Sequence, residues 1–350
     1  MPLERVREAI TAIKNGEMVI IMDDEDRENE GDLVFAAEFC TPQKVNFMAQ
    51  EARGLICVSI TKKLAQKLDL QPMVAHNSSN HETAFTISID SKDAKTGISA
   101  FERDQTIRLM CEESSTPETF VRPGHIFPLI AKEGGVLVRT GHTEASVDLC
   151  LLAGLKPVSV ICEIMKKDGS MARRGDKFLL EFASEHNLKI LYVSDLIAYR
   201  LQFENLLIQK ESCKVQFMGN TCEKNVFVDH LGREHTVFVF STLSQNALFK
   251  FHNIRSDLEL LSHSDELENL MQSIELLKQQ GGALVFLQTS STKANDIKNF
   301  GIGAQIMRAL GMREFHLLTS TEGVQFVGLS GFGLNIKEKV LLPFEKNKKN

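Results

Sequence analysis

No stretch of this 350-residue chain approaches the about 20 consecutive apolar residues that a bilayer span needs. Its opening, MPLERVREAI, is charged and lacks the apolar core of a secretion signal. Cysteines are few and scattered: seven, at positions 40, 57, 111, 150, 162, 213 and 222, never in a C-x-x-C pair. That leaves no zinc knuckle or disulfide framework and fits reduced thiols in a cytosolic protein. Basic charge does not prevail. A net charge of −6 and a pI near 6.0 argue against a general nucleic-acid binder. Proline thins out along the chain, with seven of eight at or before Pro157 and the last at Pro343. No internal repeat and no low-complexity linker is present. The expectation is a cytoplasmic protein with no membrane or nucleic-acid partner.

The remainder is ordinary globular material, 43% hydrophobic and 25% charged, with length for about two domains. Leu3, Val6, Ile10 and Ile13 keep helical spacing up to Gly16. Met18–Met22 and Leu33–Ala37 read as strands. Thr41-Pro42 reads as the cap and first residue of a helix with Val45, Met48, Ala49 and Ala52 buried. Strands are expected at Leu55–Ile60, Ala84–Ile89, Val158–Ile164 and Lys189–Val193. Helices are expected from a capping box at Ser99-Ala-Phe-Glu102 to Glu113, and from Ser194 to Leu201. Thr116–Pro128 reads as turn-rich, and GGVLVRTGHTEASVDLCLLAG as strand, tight turn and helix.

Beyond about residue 205 the texture changes. Val226–Val228 and Thr236–Phe240 suggest a hairpin, and Leu267, Leu270, Met271, Ile274 and Leu277 a helix stopped by Gly281-Gly282. Ala283–Leu287, Gly303–Leu310 and Phe315–Leu318 suggest a strand–helix–strand unit, and the closing KNKKN a solvated tail. The alternation predicts a layered α/β (α+β) domain over 1–204, followed by a smaller α/β domain over 205–350.

Between the first two strands lies DDEDRENEGD, Asp23 to Asp32, with seven carboxylates in ten residues. Such crowding of like charge costs free energy unless cations or solvent relieve it. Two readings stand: a solvated surface turn, or a site for a hard cation with oxygen ligands. The helix–loop–helix calcium site is excluded, because no phase places Gly at position six and Glu at position twelve.

Three further segments combine chemically able side chains with tight turns: RPGHIFP, RTGHTE and CEIM. In RTGHTE a turn opens a helix, whose free amides with Arg139 and the Thr143 hydroxyl suit a phosphate. Thr143 reads equally as a plain N-cap, and His142 as a structural histidine. His125 sits on a constrained loop between prolines. Glu163 interrupts an apolar strand, where a carboxylate needs a partner or a raised pKa, unless it simply faces outward.

In their order and spacing, DDEDRENEGD, RPGHIFP, GGVLVRTGHTEASVDL and CEIMKKDGSMARRGD resemble 3,4-dihydroxy-2-butanone 4-phosphate synthase, over roughly residues 3 to 200. DLQPMV and TGISAFERDQTI extend the likeness. The resemblance implies a lyase of riboflavin biosynthesis. It would convert D-ribulose 5-phosphate to 3,4-dihydroxy-2-butanone 4-phosphate and formate, as a homodimer with one or two magnesium (or manganese) ions per site. It implies Glu28 and His142 as metal ligands, and His125 and Glu163 as the acid–base pair. Arg27, Glu28, Asp32, Arg139, Thr140, Gly141, His142, Thr143 and Glu163 would contact the substrate. Magnesium favours carboxylate and water and is held by few protein groups, so one glutamate and one histidine suffice.

Ala294 to Ser320 resembles the closing part of GTP cyclohydrolase II. That family binds zinc through three clustered cysteines, yet none follows Cys222 here. FLQTSSTKAND stands where its Arg- and Gly-rich loop belongs, and Lys298 replaces an arginine beside Asp296. A lysine cannot reproduce guanidinium geometry. The second half is therefore expected to be a degenerate domain without zinc. The alternatives are a bifunctional enzyme and a non-catalytic scaffold for riboflavin enzymes.

Overall fold

A computed structural model of the chain describes residues 2–25, 27–244, 247–288, 296–320 and 334–342, with the side chains of 264 and 296–300 left aside. The chain separates into two compact units, Met1–Tyr199 and Arg200–Asn350.

The first unit is built on a seven-stranded mixed sheet. Its strands are β1 (Val19–Met22), β2 (Gly31–Ala36), β3 (Cys57–Ile60), β4 (Ile89–Ser91), β5 (Phe120–Ile130), β6 (Val158–Glu163) and β7 (Lys189–Tyr192), in the order β4-β5-β3-β6-β2-β1-β7. The central strands are buried along their whole length, as expected of a sheet covered on both faces. Alternation sorts their side chains. Ile20, Leu33, Phe35, Val58, Val160 and Cys162 join one core, together with residues of α2 (Pro42–Phe47), α4 (Ala100–Cys111) and α6 (Lys177–Glu185). The opposite face carries Asp32, Val34, Cys57, Ser59, Ile161 and Glu163, and there α5 (His142–Leu152) packs beside α1 (Pro2–Lys14).

The structure departs from the sequence reading at several points. Ala49 is exposed because the helix passes into π winding at Met48–Ala52, closed by Arg53 N donating to Met48 O at 3.1 Å. The strand expected over Ala84–Ile89 is confined to Ile89–Ser91, with isolated bridges at Phe85 and Thr86. The stretch read as turns, Thr116–Pro128, is mostly β5. Pro123 is tolerated because Arg122 to His125 bulge out opposite the Ile89/Asp90 step, whereas Pro128 stands in register with Val58 of β3. GGVLV forms a 3-10 turn rather than a strand, since Gly134 and Gly135 take positive φ and Asp148 Oδ2 accepts from Val136 N at 2.8 Å. Ser99 does cap α4, but Glu102 turns to the amides of Lys95 and Thr96, so the reciprocal half of the box is not made. Helices α3 (Lys62–Lys67) and α6 were not anticipated.

In the second unit β8 (Leu207–Phe217), β9 (Asn220–Asp229) and β10 (Glu234–Val239) form an antiparallel meander. It joins a parallel group of β11 (Leu248–Asn253), β12 (Gly282–Leu287), β13 (Glu314–Thr319) and β14 (Asn335–Leu341) in one sheet. The expected hairpin and strand–helix–strand unit are both present, the latter through α10 (Asp296–Ala309) with β11 between its strands. Helix α9 (Ser264–Gln280) buries Leu270, Ile274 and Leu277 but leaves Met271 exposed. The FLQTSSTKAND loop from Thr289 to Asn295, the side chains of Asp296 and Lys298, and the KNKKN tail lie outside the described residues.

Candidate functional site

The acidic run is the β1–β2 turn, and much of its charge is arranged rather than solvated. Asp23, fully buried, accepts from Glu28 N at 3.1 Å, Glu30 N at 2.8 Å and Arg27 Nη1 at 2.8 Å. That clamp turns Glu28 toward the N-terminus of α5. There His142 Nδ1 lies 3.6 Å from Glu28 Oε2, and His142 Nε2 donates to the Glu30 carbonyl at 3.0 Å. The Glu30 carbonyl thus fixes the proton on Nε2 and leaves Nδ1 facing Glu28 when the ring is neutral. Asp32 Oδ1 stands 3.9 Å from Nε2, buried and without a hydrogen-bond partner.

Asp32 pairs across the sheet with Glu163, and both side chains fall on the α5 face. Glu163 finds the partner its position demanded: Oε2 accepts from Leu55 N at 2.8 Å. Gly54 makes this possible, since a Cβ there would collide with the Glu163 backbone and carboxylate. His125 occupies the β5 bulge, not a free loop. Its backbone N donates to Asp90 Oδ1 at 2.8 Å, and its Nδ1 lies 2.8 Å from Asp90 Oδ2. Gly124 must be glycine, because a Cβ would enter the Ile89 backbone. His125 is two strands from Glu163 at the same end of the sheet, about 10 Å by strand spacing. The structure thus unites Glu28, Asp32 and His142, sets Glu163 beside Asp32, and holds His125 farther along the same edge.

The remaining predicted residues surround this core. Arg27 Nη2 is 3.0 Å from Glu28 Oε1. Arg139 donates to Glu144 Oε2 at 2.6 Å and to the His81 carbonyl at 2.9 Å. Thr140 and Gly141 form the turn into α5, whose N-cap is Gly141; Thr143 is buried inside the first helical turn and is not the cap. Asp23, Asp90, Glu144, His81 and Gly54 were missed by sequence reasoning. Asp23, in the acidic run, and Glu144, at the end of RTGHTE, stood in segments with a signal, and the other three did not.

Electrostatics follow from this packing. Burial pushes the Glu28 carboxyl up, but the protonated His142 ring 3.6 Å away and the charge of Arg27 outweigh it and hold it at about 2. Burial pushes Asp32 up to about 8, with Glu163, Glu28 and Glu30 adding to the rise. Burial works against the charged form of His142, yet Asp32, Glu28 and Asp23 overcome it and raise the ring to about 9. A cation binding here takes the place of that imidazolium charge. One ligand atom each from Asp23, Glu28 and His142 lies within 4.8 Å of the others, the one such group among the described residues. The Asp23 oxygens are already engaged by three donors, which leaves Glu28 and His142. Cis ligands of an octahedral magnesium stand about 3 Å apart, so the 3.6 Å between them nearly matches.

The family model described as 3,4-dihydroxy-2-butanone 4-phosphate synthase matches residues 7–199. The chain belongs to the 3,4-dihydroxy-2-butanone 4-phosphate synthase family. A relative of that name from Helicobacter hepaticus is 67% identical over 350 residues, covering 96% of this chain and 99% of the relative. The riboflavin biosynthesis protein RibBA of Bacillus subtilis is 40% identical over 380 residues, covering 99% of this chain and 95% of its own length. The solved structure of RibBX, a two-domain synthase from A. baumannii, matches with a TM-score of 0.81 at 36% identity, covering 96% of this chain and 99% of that one. A synthase solved with two magnesium ions matches with a TM-score of 0.53 at 41% identity, covering 57% of this chain and 97% of that one. The GTP cyclohydrolase II model matches residues 263–341, a stretch that contains no cysteine. The chain is thus a riboflavin-biosynthesis synthase of the two-unit kind, and its fold is the mixed α/β arrangement the sequence led us to expect. Among the described residues no helix is long and apolar enough to cross a membrane.

Proposed function

We propose that a synthase domain over residues 1–204 binds D-ribulose 5-phosphate with one or two magnesium or manganese ions and releases formate and 3,4-dihydroxy-2-butanone 4-phosphate. The observation that carries this reading is the meeting of Glu28, Asp32 and His142, with Glu163 alongside, from segments more than 100 residues apart. The magnesium-bound relative supports the choice of ion. Glu28 and His142 would hold the cation. When bound, a divalent cation polarises the ketose carbonyl and stabilises enediolate charge.

The protein's own groups do the rest. Glu163, fixed through Oε2, has Oε1 free to take and return a proton. Asp90 orients His125 so that Nε2 faces outward as the second acid–base group. Asp32 Oδ1, buried and without a hydrogen-bond partner, can accept from a sugar hydroxyl. The first amides of α5 with Thr140, Gly141, Thr143, Arg139 and Arg27 would hold the phosphate. The domain over 205–350 is read as catalytically silent and free of zinc, and the protein as a cytoplasmic homodimer. The purified chain, given ribulose 5-phosphate and magnesium, should release formate, and Glu163→Gln should abolish it. Unchanged formate release by that variant would refute the acid–base assignment. The match of residues 263–341 to the GTP cyclohydrolase II model favours one second reading, a bifunctional enzyme, which formate release from GTP would establish.

A further inference from the structure

The acidic turn carries seven carboxylates but one cation of its own, Arg27, which is turned inward to Asp23 and Glu28. Its outer carboxylates meet a cation from elsewhere in the chain. Arg174 Nη1 is 3.8 Å from Asp24 Oδ1, and Arg174 Nε is 3.8 Å from Glu25 Oε1. The Arg174 backbone N donates to Asn29 Oδ1 at 2.9 Å. Asn29 directly follows Glu28 and takes the left-handed conformation at φ 55°, which asparagine tolerates. The guanidinium lies 4.4 Å from the centre of the Tyr192 ring, and Tyr192 pairs with Met22, the last residue of β1 before the turn. Arg5, fixed by Asp195 at 2.7 Å and 3.0 Å, lies against the same ring at 5.1 Å.

We infer that Arg174 is a positioning residue: it ties the acidic turn to the Tyr192 end of β7 and so holds Glu28 where a divalent cation can be gripped between it and His142. This rests on the reading of Glu28 and His142 as cation ligands. Arg174 touches neither side chain and acts only through the turn. Two effects of removing it have opposite sign. Deleting a positive charge near the site strengthens cation binding by Coulomb attraction, but at about 10 Å in screened water this amounts to less than about threefold. Freeing the turn weakens binding, because the ion must then order it. A part-exposed ion pair and a cation–π contact together correspond to roughly three- to tenfold. Ordering therefore outweighs repulsion.

The test titrates the full-length chain with Mn2+ and follows the electron paramagnetic resonance signal of the free ion. Arg174→Ala should weaken Mn2+ binding roughly three- to tenfold and Arg174→Lys less, since lysine keeps the charge without the planar stack. In a chain already carrying Asp24→Asn and Glu25→Gln, the same replacement should change affinity by less than about twofold. In kinetics, the magnesium concentration giving half-maximal rate should rise in parallel, while the rate at saturating magnesium stays within about twofold. If Arg174→Ala melts below the assay temperature, Asn29→Ala should show the same loss. Equal or tighter Mn2+ binding by the Arg174 variant overturns the proposal, as does an undiminished effect without Asp24 and Glu25. Glu28→Gln separates the two readings. If it binds Mn2+ as well as the unaltered chain, the cation site itself is wrong and the latch falls with it; if only Glu28→Gln loses binding, the latch alone is wrong.

Discussion

Cation binding at Glu28 and His142 should depend steeply on pH, and the structure sets both sign and size. Without a cation the His142 ring is raised to about 9 and Glu28 held at about 2, so at pH 7 the pair is imidazolium and carboxylate. An ion can bind Nδ1 only after the proton leaves. Affinity must therefore rise with pH, about tenfold per unit from 7 to 9, and level off above. Those two units correspond to about 2.7 kcal/mol. Glu28 adds no slope in this range, being ionised throughout. Where the cation also draws a proton from Asp32, at about 8, the rise below pH 8 steepens toward about a hundredfold per unit, so between one and two protons leave per ion. Isothermal titration calorimetry with Mg2+ in buffers of different ionisation enthalpy counts them directly. Asp32→Asn removes the charge that contributes most to raising His142, so the steep window should move to lower pH. An affinity that stays flat between pH 6.5 and 8.5, or binding without proton release, would refute the assignment of His142 as a ligand.

Other expectations follow from the same coordinates. Gly97 sits at φ 81° with Asp90 Oδ2 where a Cβ would be and His125 Nδ1 beyond it; Gly97→Ala should cost about 2–4 kcal/mol in thermal unfolding and lower turnover. Asp90→Ala frees both the backbone and ring of His125; a fall of about 10- to 100-fold in kcat is expected, with a loss of about 1–3 kcal/mol in stability from the unsatisfied His125 amide. In the second unit burial pushes the Asp229 carboxyl up, but hydrogen bonds from His235 and Arg233 hold it well below the usual range. Asp229→Ala should therefore destabilise that unit by about 3–5 kcal/mol in denaturant unfolding. Because the native pKa is depressed, the carboxylate's contribution is complete above about pH 4 and should fade only as pH drops below it.

Much of this was legible in the sequence because local rules and burial agreed. Val19–Met22 and Gly31–Ala36 fall where apolar runs flank the acidic turn, and Thr41 and Ser99 cap the helices their spacing announced. The failures share a cause in tertiary contacts that no local window holds. RPGHIFP looked like a loop because its prolines and glycine are strand breakers, yet the bulge opposite Ile89 absorbs Pro123 and Gly124. GGVLV looked like a strand until Asp148, far along α5, captured the Val136 amide. In the site, Glu28, His142 and Glu163 announced themselves through residue type and motif. Asp90 and Gly54 did not, since an aspartate orienting a histidine 35 residues away, or a glycine making room for a glutamate beyond it, carries no spacing signature.

Electron spin echo spectroscopy of Mn2+ bound to the full-length chain tests the heart of this account. A single imidazole nitrogen should couple to the ion, vanish in His142→Ala, and persist when ribulose 5-phosphate is added. Nitrogen coupling that survives in His142→Ala, or none in the unaltered chain, would place the ion elsewhere.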